Sequence, residues 1–318
     1  MKKLSLVLFI CGIGMIILSF LFPNNNLKWK NEYGKDFSFK NLKIYNDTNM
    51  FEKNITIDNN SYSYNIIEDM DLQKINNSYM QYSNNDLTIK YNFEKVTSTI
   101  EEYKQYLINS FIDYNNINLL RLDSSDNISF FWLKVGYSEY YFEELHVLIN
   151  NNNDYYLLKY STVNNSFGKN FLNKIVNGIK KDNKDSNKCF NNECELSILK
   201  NKNSLKTIKF SNLSNYTEIK NNNNNILSLK HKEKDEEVLI SLFYDKTDDI
   251  YSDTLDLYND LKNTEVKINN YNAVKIEDEK ENIYLFKIDD NTVLLIEITS
   301  NINVENIIND FANFKIID

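Results

Sequence analysis

One order of apolar patterns occurs twice along the chain, and it restricts the fold more than any other feature. In DLTIKYNF, residues Leu87, Ile89, Tyr91 and Phe93 alternate with polar ones, the mark of a strand with one buried face. Ser98-Thr-Ile-Glu101 then reads as a capping box. Ile100, Tyr103, Leu107, Phe111 and Tyr114 follow at helical spacing, so a helix is expected over 99–113. Strands are expected at 128–137, 140–149 and 155–162, then a helix at 167–180 with Phe167, Phe171, Ile175 and Ile179 on one face. The end of the chain repeats this order. EVLISLFYD (237–245) is a strand, and 249–262 a helix with Ile250, Leu255, Tyr258 and Leu261 inward. Strands follow at 271–276, 282–288 and 292–299, and a last helix carries Val304, Ile307, Ile308, Phe311 and Phe314. YYLLKYST (155–162) aligns with TVLLIEIT (292–299), and after a one-residue gap Phe171, Leu172 and Ile175 fall on Ile307, Ile308 and Phe311. The pattern is that of an internal duplication.

Each copy has leading strands, expected at 37–45 and 62–67 in the first and at 195–200, 205–210 and 226–232 in the second. The expected fold class is α+β: an N-terminal transmembrane helix, then two tandem units, each a central antiparallel sheet with helices packed on its faces. The boundaries are an anchor at 1–23, a tether at 24–35, a first unit at 36–182, a linker at 183–194 and a second unit at 195–318. In the tether, Trp29 is expected at the level of the lipid headgroups.

The anchor is the stretch Leu4 to Phe22, nineteen residues without a charge, preceded by Lys2 and Lys3 and stopped by Pro23. At ~1.5 Å per residue it is roughly 28 Å long, the thickness of a bilayer's hydrocarbon core. No small-x-small cleavage site follows, and Cys11 lies behind Phe9-Ile10 rather than behind small residues, so the run reads as an uncleaved signal anchor. The flanking lysines do not fix its direction, because Lys28, Lys30 and Lys35 rival the amino-terminal pair. Beyond the anchor the only cysteines are Cys189 and Cys194, in KCFNNECE. That spacing suits a small disulfide loop in an oxidising compartment, which places residues 24–318 outside the cell membrane. Two thiolates do not complete a tetrahedral zinc site.

A net charge of −9 and the lack of Lys/Arg clusters interleaved with aromatics argue against nucleic acid as a partner. Asparagine makes up about one residue in six, against six glycines and one proline, so runs such as 150–153 and 221–225 read as loop. With so few glycines there is no phosphate-binding loop, and no G-x-S-x-G elbow occurs.

The strand near DLTIKY or EVLISLFY, the helix opening at Ser98-Thr-Ile-Glu-Glu-Tyr103, three antiparallel strands and a closing helix after LLKYST or LLIEIT together resemble the PsbP-type fold. That fold occurs in the extrinsic photosystem protein and in bacterial surface lipoproteins. The resemblance covers about 85–180 and 225–318, lacks the family's Pro-aromatic turn, and implies a binding scaffold. It carries over no catalytic motif.

Candidates for chemistry are few. His146 shares a strand face with Glu144 and Leu148, while His231 lies in the charged hairpin KHKEKDEE, so no histidine pair forms within a unit. Asp245, Asp248, Asp249 and Asp253, and the turn Asp289-Asp290-Asn291, lack the ligand alternation of an EF-hand. They read as a helix amino terminus and a strand turn. No catalytic, metal or cofactor residues are therefore expected. The remaining signal is aromatic: core packing is its default reading, and if one helix layer is incomplete Trp132 and Tyr140 form a candidate interaction surface. The functional expectation is a membrane-anchored, extracytoplasmic binding or interaction module without catalytic activity, held to the bilayer through 4–22 and facing a membrane or surface protein. The alternative is a carrier of a small apolar ligand, and the third reading an enzyme with carboxylates converging on His146.

Overall fold

The computed structural model describes residues 27–46, 49–57, 60–114, 116–124, 127–182, 188–219, 224–279, 281–300 and 304–318. The anchor expected at 4–22 lies outside them. Among the described residues no helix is long and apolar enough to cross a membrane.

The elements of the first half are β1 (Lys30–Gly34), β2 (Lys43–Tyr45), β3 (Met50–Ile57), β4 (Asn60–Ile67), β5 (Asp71–Ile75), β6 (Tyr79–Ser83), β7 (Thr88–Asn92), α1 (Ile100–Phe111), β8 (Asn116–Asp123), β9 (Ile128–Tyr137), β10 (Tyr140–Asn151), β11 (Asp154–Val163), β12 (Asn165–Phe167), α2 (Lys169–Gly178) and β13 (Lys180–Asp182). Those of the second are β14 (Cys189–Phe190), β15 (Glu193–Asn201), β16 (Ser204–Phe210), β17 (Tyr216–Ile219), β18 (Ile226–His231), β19 (Glu236–Asp245), α3 (Ile250–Asp256), β20 (Lys262–Ile268), β21 (Tyr271–Glu277), β22 (Asn282–Asp289), β23 (Thr292–Ser300), α4 (Val304–Phe311) and β24 (Lys315–Ile317).

This corrects the expected α+β class. The chain is mostly β, with 58% of the described residues in strands and 14% in helices, built around one large antiparallel sheet. Strands rich in polar residues account for much of the difference. β8 and β20 form where no strand was expected, and the helix expected at 249–262 ends at Asp256. Nor are there two separate central sheets. The strand order β5-β6-β7-β11-β10-β9-β8 in the first half matches β17-β18-β19-β23-β22-β21-β20 in the second, and the two sets fuse where β5 pairs with the far end of β19. The fusion rests on two residue pairs, Tyr244 with Ile75 and Asp245 with Lys74, and on the Lys74–Asp245 ion pair at 2.7 Å.

A smaller sheet lies beside each seven-strand set, and both are built alike. The hairpin β3–β4 is completed by β13, and the hairpin β15–β16 by β24, each closing strand arriving just after the unit's last helix. Phe171, Leu172 and Ile175 of α2 and Ile307, Ile308 and Phe311 of α4 are buried in the large core on this side of the sheet. The opposite face carries α1 over Leu119, Phe131, Leu133 and Leu148, and α3 over Val274, Ile283, Leu285 and Leu295.

Local chemistry explains the turns and caps. The α1 cap is Thr99, whose Oγ1 accepts from Glu102 N at 3.1 Å, one residue beyond the expected Ser98 box. Among the described residues, nine of the ten non-glycine positions with positive φ are asparagine, including both turn residues of β10–β11, Asn152 and Asn153. In a glycine-poor chain asparagine takes the left-handed turn positions, since its short polar side chain tolerates them.

Part of the expected tether belongs to the sheet. β1 pairs with β8, and Gly34 ends it at φ 71°, where a Cβ would lie 1.9 Å from the Ile117 carbonyl oxygen. Trp29, expected at the headgroups, packs edge-on against Trp132 with ring centroids 5.6 Å apart. The strand path thus begins at β1 and ends at β20, both mostly exposed, with Lys30 outward on one and Lys262, Glu265 and Lys267 on the other.

Candidate functional site

Alternation along β10 sends Phe142, Glu144, His146 and Leu148 toward α1. The β10–β11 register then sets Lys159 opposite His146 and Ser161 opposite Glu144. From above, α1 contributes Tyr103, Tyr106, Leu107 and Phe111, residues three and four apart on one helical side. A cavity of about 570 Å³ opens between helix and sheet, with Val96, Leu107, Phe111 and Leu157 as apolar wall and Glu102, Glu144, His146 and Lys159 as polar wall.

The polar wall is a chain of hydrogen bonds. Tyr103 Oη lies 2.8 Å from His146 Nδ1, and His146 Nε2 lies 2.8 Å from Glu144 Oε2. The other carboxylate oxygen, Oε1, accepts from Lys159 Nζ at 2.9 Å and from Ser161 Oγ at 3.2 Å. Burial alone would push the Glu144 carboxyl up, but the hydrogen bond and charge of His146 and the Lys159 ammonium outweigh it and hold it at about 2. Burial pushes His146 down despite Glu144, and burial pushes the Tyr103 phenol well up. Near neutral pH the set therefore holds a carboxylate, a neutral imidazole and a neutral phenol. Since the carboxylate can only accept, Nε2 carries the imidazole proton and Nδ1 accepts from the Tyr103 hydroxyl. Both ring nitrogens are thereby engaged. The set resembles a relay in outline, yet no lone pair of His146 is left for a bound molecule.

Comparison with protein families, with characterised proteins and with solved structures found no match.

Trp132 and Tyr140 do not meet. Trp132 lies across from Leu145, and Tyr140 across from Tyr137, which puts them on opposite faces of the β9–β10 ladder. Trp132 is half-buried under Trp29, and its Nε1 donates to Glu143 at 3.1 Å. Tyr140 is 68% exposed at the turn, beside Tyr137. Cys189 and Cys194 form a disulfide between β14 and β15, at the start of the second unit's smaller sheet. His231 stacks edge-on against Tyr216 and accepts from the backbone N–H groups of Glu233 and Lys234, far along the chain from His146 and in the other unit. Asp245 accepts from Thr247 and Asp248 while pairing with Lys74, Asp249 caps α3, and Asp289 pairs with Lys206.

Sequence reasoning passed over Lys159 and Tyr103, reading one as a strand residue and the other as helix core. It also passed over Glu143, which is fully buried and accepts from Trp132, Phe167 N at 2.8 Å, Ser166 Oγ at 2.6 Å and Tyr141. No local pattern marks it, since Trp132 and Tyr141 are each flanked by apolar or aromatic residues on both sides. Glu143 ties the short β12 and the start of α2 to the sheet.

Proposed function

We propose that the protein is a non-catalytic binding protein, tethered through the apolar run at 4–22, which holds a small neutral amphiphile in the cavity between α1 and the first seven-strand set. The observation that carries this reading is the combination of a roughly 570 Å³ space with a wall whose deep charges are already paired. A pre-paired wall offers hydrogen bonds at its edge without leaving a bare charge to be neutralised. The apolar side, Val96, Leu107, Phe111 and Leu157, suits a short hydrocarbon body. A protein-docking role for Trp132 and Tyr140 has less support, since the two lie on opposite faces. An enzymatic role has less as well, since both nitrogens of His146 are engaged.

Calorimetric titration of the full chain in lipid nanodiscs with straight-chain alcohols from butanol to octanol tests the reading, with empty nanodiscs as reference. Affinity is expected to rise about fourfold per added CH₂ until the cavity is full. Leu107→Trp, which fills the cavity, should abolish the binding, with Leu157→Phe as a second filling variant should the first fail to fold. Equal binding by wild type and a folded filling variant would exclude this cavity.

A further inference from the structure

A second cavity, of about 370 Å³, lies where the two units meet. The first unit lines it with Lys53, Ile55, Tyr64, Met80 and Tyr82, and the second with Ile198, Leu199, Leu205 and Asn225. One unfinished polar group faces this space, whose lining also includes Asn54, Ser197 and Asn224. Lys53 is half-buried, its Nζ bonded to the Tyr82 hydroxyl and lying 4.5 Å from the centre of that ring, and no carboxylate pairs with it among the described residues. Tyr82 passes the contact on, donating to the Leu199 carbonyl at 2.8 Å. Asn225 is 1% exposed. Its Nδ2 donates to Leu242 O at 3.2 Å, but its Oδ1 is buried with no hydrogen-bond partner. That oxygen is sealed from the cavity, whereas the Lys53 ammonium, without an anion in a largely apolar setting, asks for one.

We infer that this junction is a binding site for a small apolar carboxylate, which pairs with Lys53. Such a ligand would touch both units at the place where their sheets share only two residue pairs. At ~30 Å³ per non-hydrogen atom the cavity holds on the order of a dozen such atoms, the size of an acylated amino acid. Of the other ionisable groups in the lining, Tyr64 spends its hydroxyl on Met80 Sδ at 3.8 Å, Tyr82 stays a neutral phenol because burial raises it, and Glu52 sits on the outward side of β3. Burial also lowers the Lys53 amine to about 7. A bound carboxylate favours the ammonium, so binding above that pH takes up a proton.

N-acetylleucine is a suitable probe, with its uncharged amide as control, titrated into the full chain in nanodiscs at pH 6 and pH 8.5. The acid is expected to bind at pH 6, roughly tenfold or more weakly at pH 8.5, and the amide at least tenfold more weakly than the acid at pH 6. Lys53→Met should abolish binding of the acid and Lys53→Arg retain it. Removing a lone buried charge does not threaten folding, so Lys53→Met remains a fair test. Unaltered binding by that variant, or equal binding of acid and amide, would overturn the assignment. The site stands apart from the α1 cavity: Lys53→Met should leave alcohol binding intact, and Leu107→Trp should leave N-acetylleucine binding intact.

Discussion

The sheet faces under α1 and α3 share one topology and carry opposite chemistry. The two-residue turns joining β10 to β11 and β22 to β23 put Asp154 level with Thr292, and therefore Lys159 level with Glu297. His146, the partner of Lys159, then corresponds to Ile283, the partner of Glu297. Where the first unit closes a carboxylate, an imidazole and an ammonium on one another, the second sets Glu297 close to Glu281 with Tyr258 nearby. Burial, then the charge of Glu281, pushes the Glu297 carboxyl up to about 7. The helix differs as well, twelve residues in α1 against seven in α3. A shared scaffold thus fixes where side chains meet, and single substitutions on it decide whether the meeting is neutralised or repulsive.

The sharpest way to break the comparison is to give the first unit an apolar residue where the second has one. His146→Leu removes the partner of both the Tyr103 hydroxyl and Glu144, and is expected to cost about 2–4 kcal/mol of stability. Ile283→Val, at the matching position, should cost only about 0.5–1.5 kcal/mol. Urea midpoints of the two variants decide this, and a smaller loss for His146→Leu would show that the chain of hydrogen bonds contributes little to stability.

The pH response comes next, and its sign differs between the units. Glu144 is held below the ordinary glutamate value of 4.5, so its contribution is present above that value and is lost as pH falls toward 2. Glu297 is raised above 4.5, so its contribution is present below that value and is lost as pH rises through 7. After allowance for solvent screening, Glu297→Gln should stabilise the protein by about 1–2 kcal/mol at pH 8 and hardly at pH 4. Denaturation of wild type and variant at the two pH values checks this, and equal shifts at both would remove Glu297 as the source.

The smallest effect concerns the helix caps. Thr99→Ala should cost about 1 kcal/mol and Asp249→Ala about half of that, because α3 is a short helix with a longer cap hydrogen bond of 3.3 Å. Hydrogen exchange of the two helices separates the effects, and an equal loss at both would mean that helix length does not matter here.

The comparison also explains what the sequence could and could not convey. Dense aromatic and aliphatic runs in 128–137 and 140–149 give β9 and most of β10, and strand periodicity within the second gives the shared face of Glu144 and His146. Polar strands such as β1 and β20 carry no such pattern, which is why the chain read as α+β. The alignment of 155–162 with 292–299 is one residue out of register. It matches Lys159 to Ile296, which lies on the other face, because each segment has a Leu-Leu pair that scores well in either register. Lys159 and Tyr103 enter the site through cross-strand pairing and helix packing, neither of which is local in sequence. The junction lies further out of reach. Lys53, Tyr82 and Asn225 come from three distant segments, and only the fusion of β5 to β19 brings their surroundings together.

The ends of the strand path have a consequence for many copies held side by side. An open sheet can grow by accepting a strand from a neighbour, and a long sheet with apolar edges would do so readily when crowded. Here a second copy laid along β20 would have to bury Lys262, Glu265 and Lys267, and along β1 Lys30. The charged borders act as fences, so a dense layer of this protein should stay a layer of separate molecules instead of zipping into fibres.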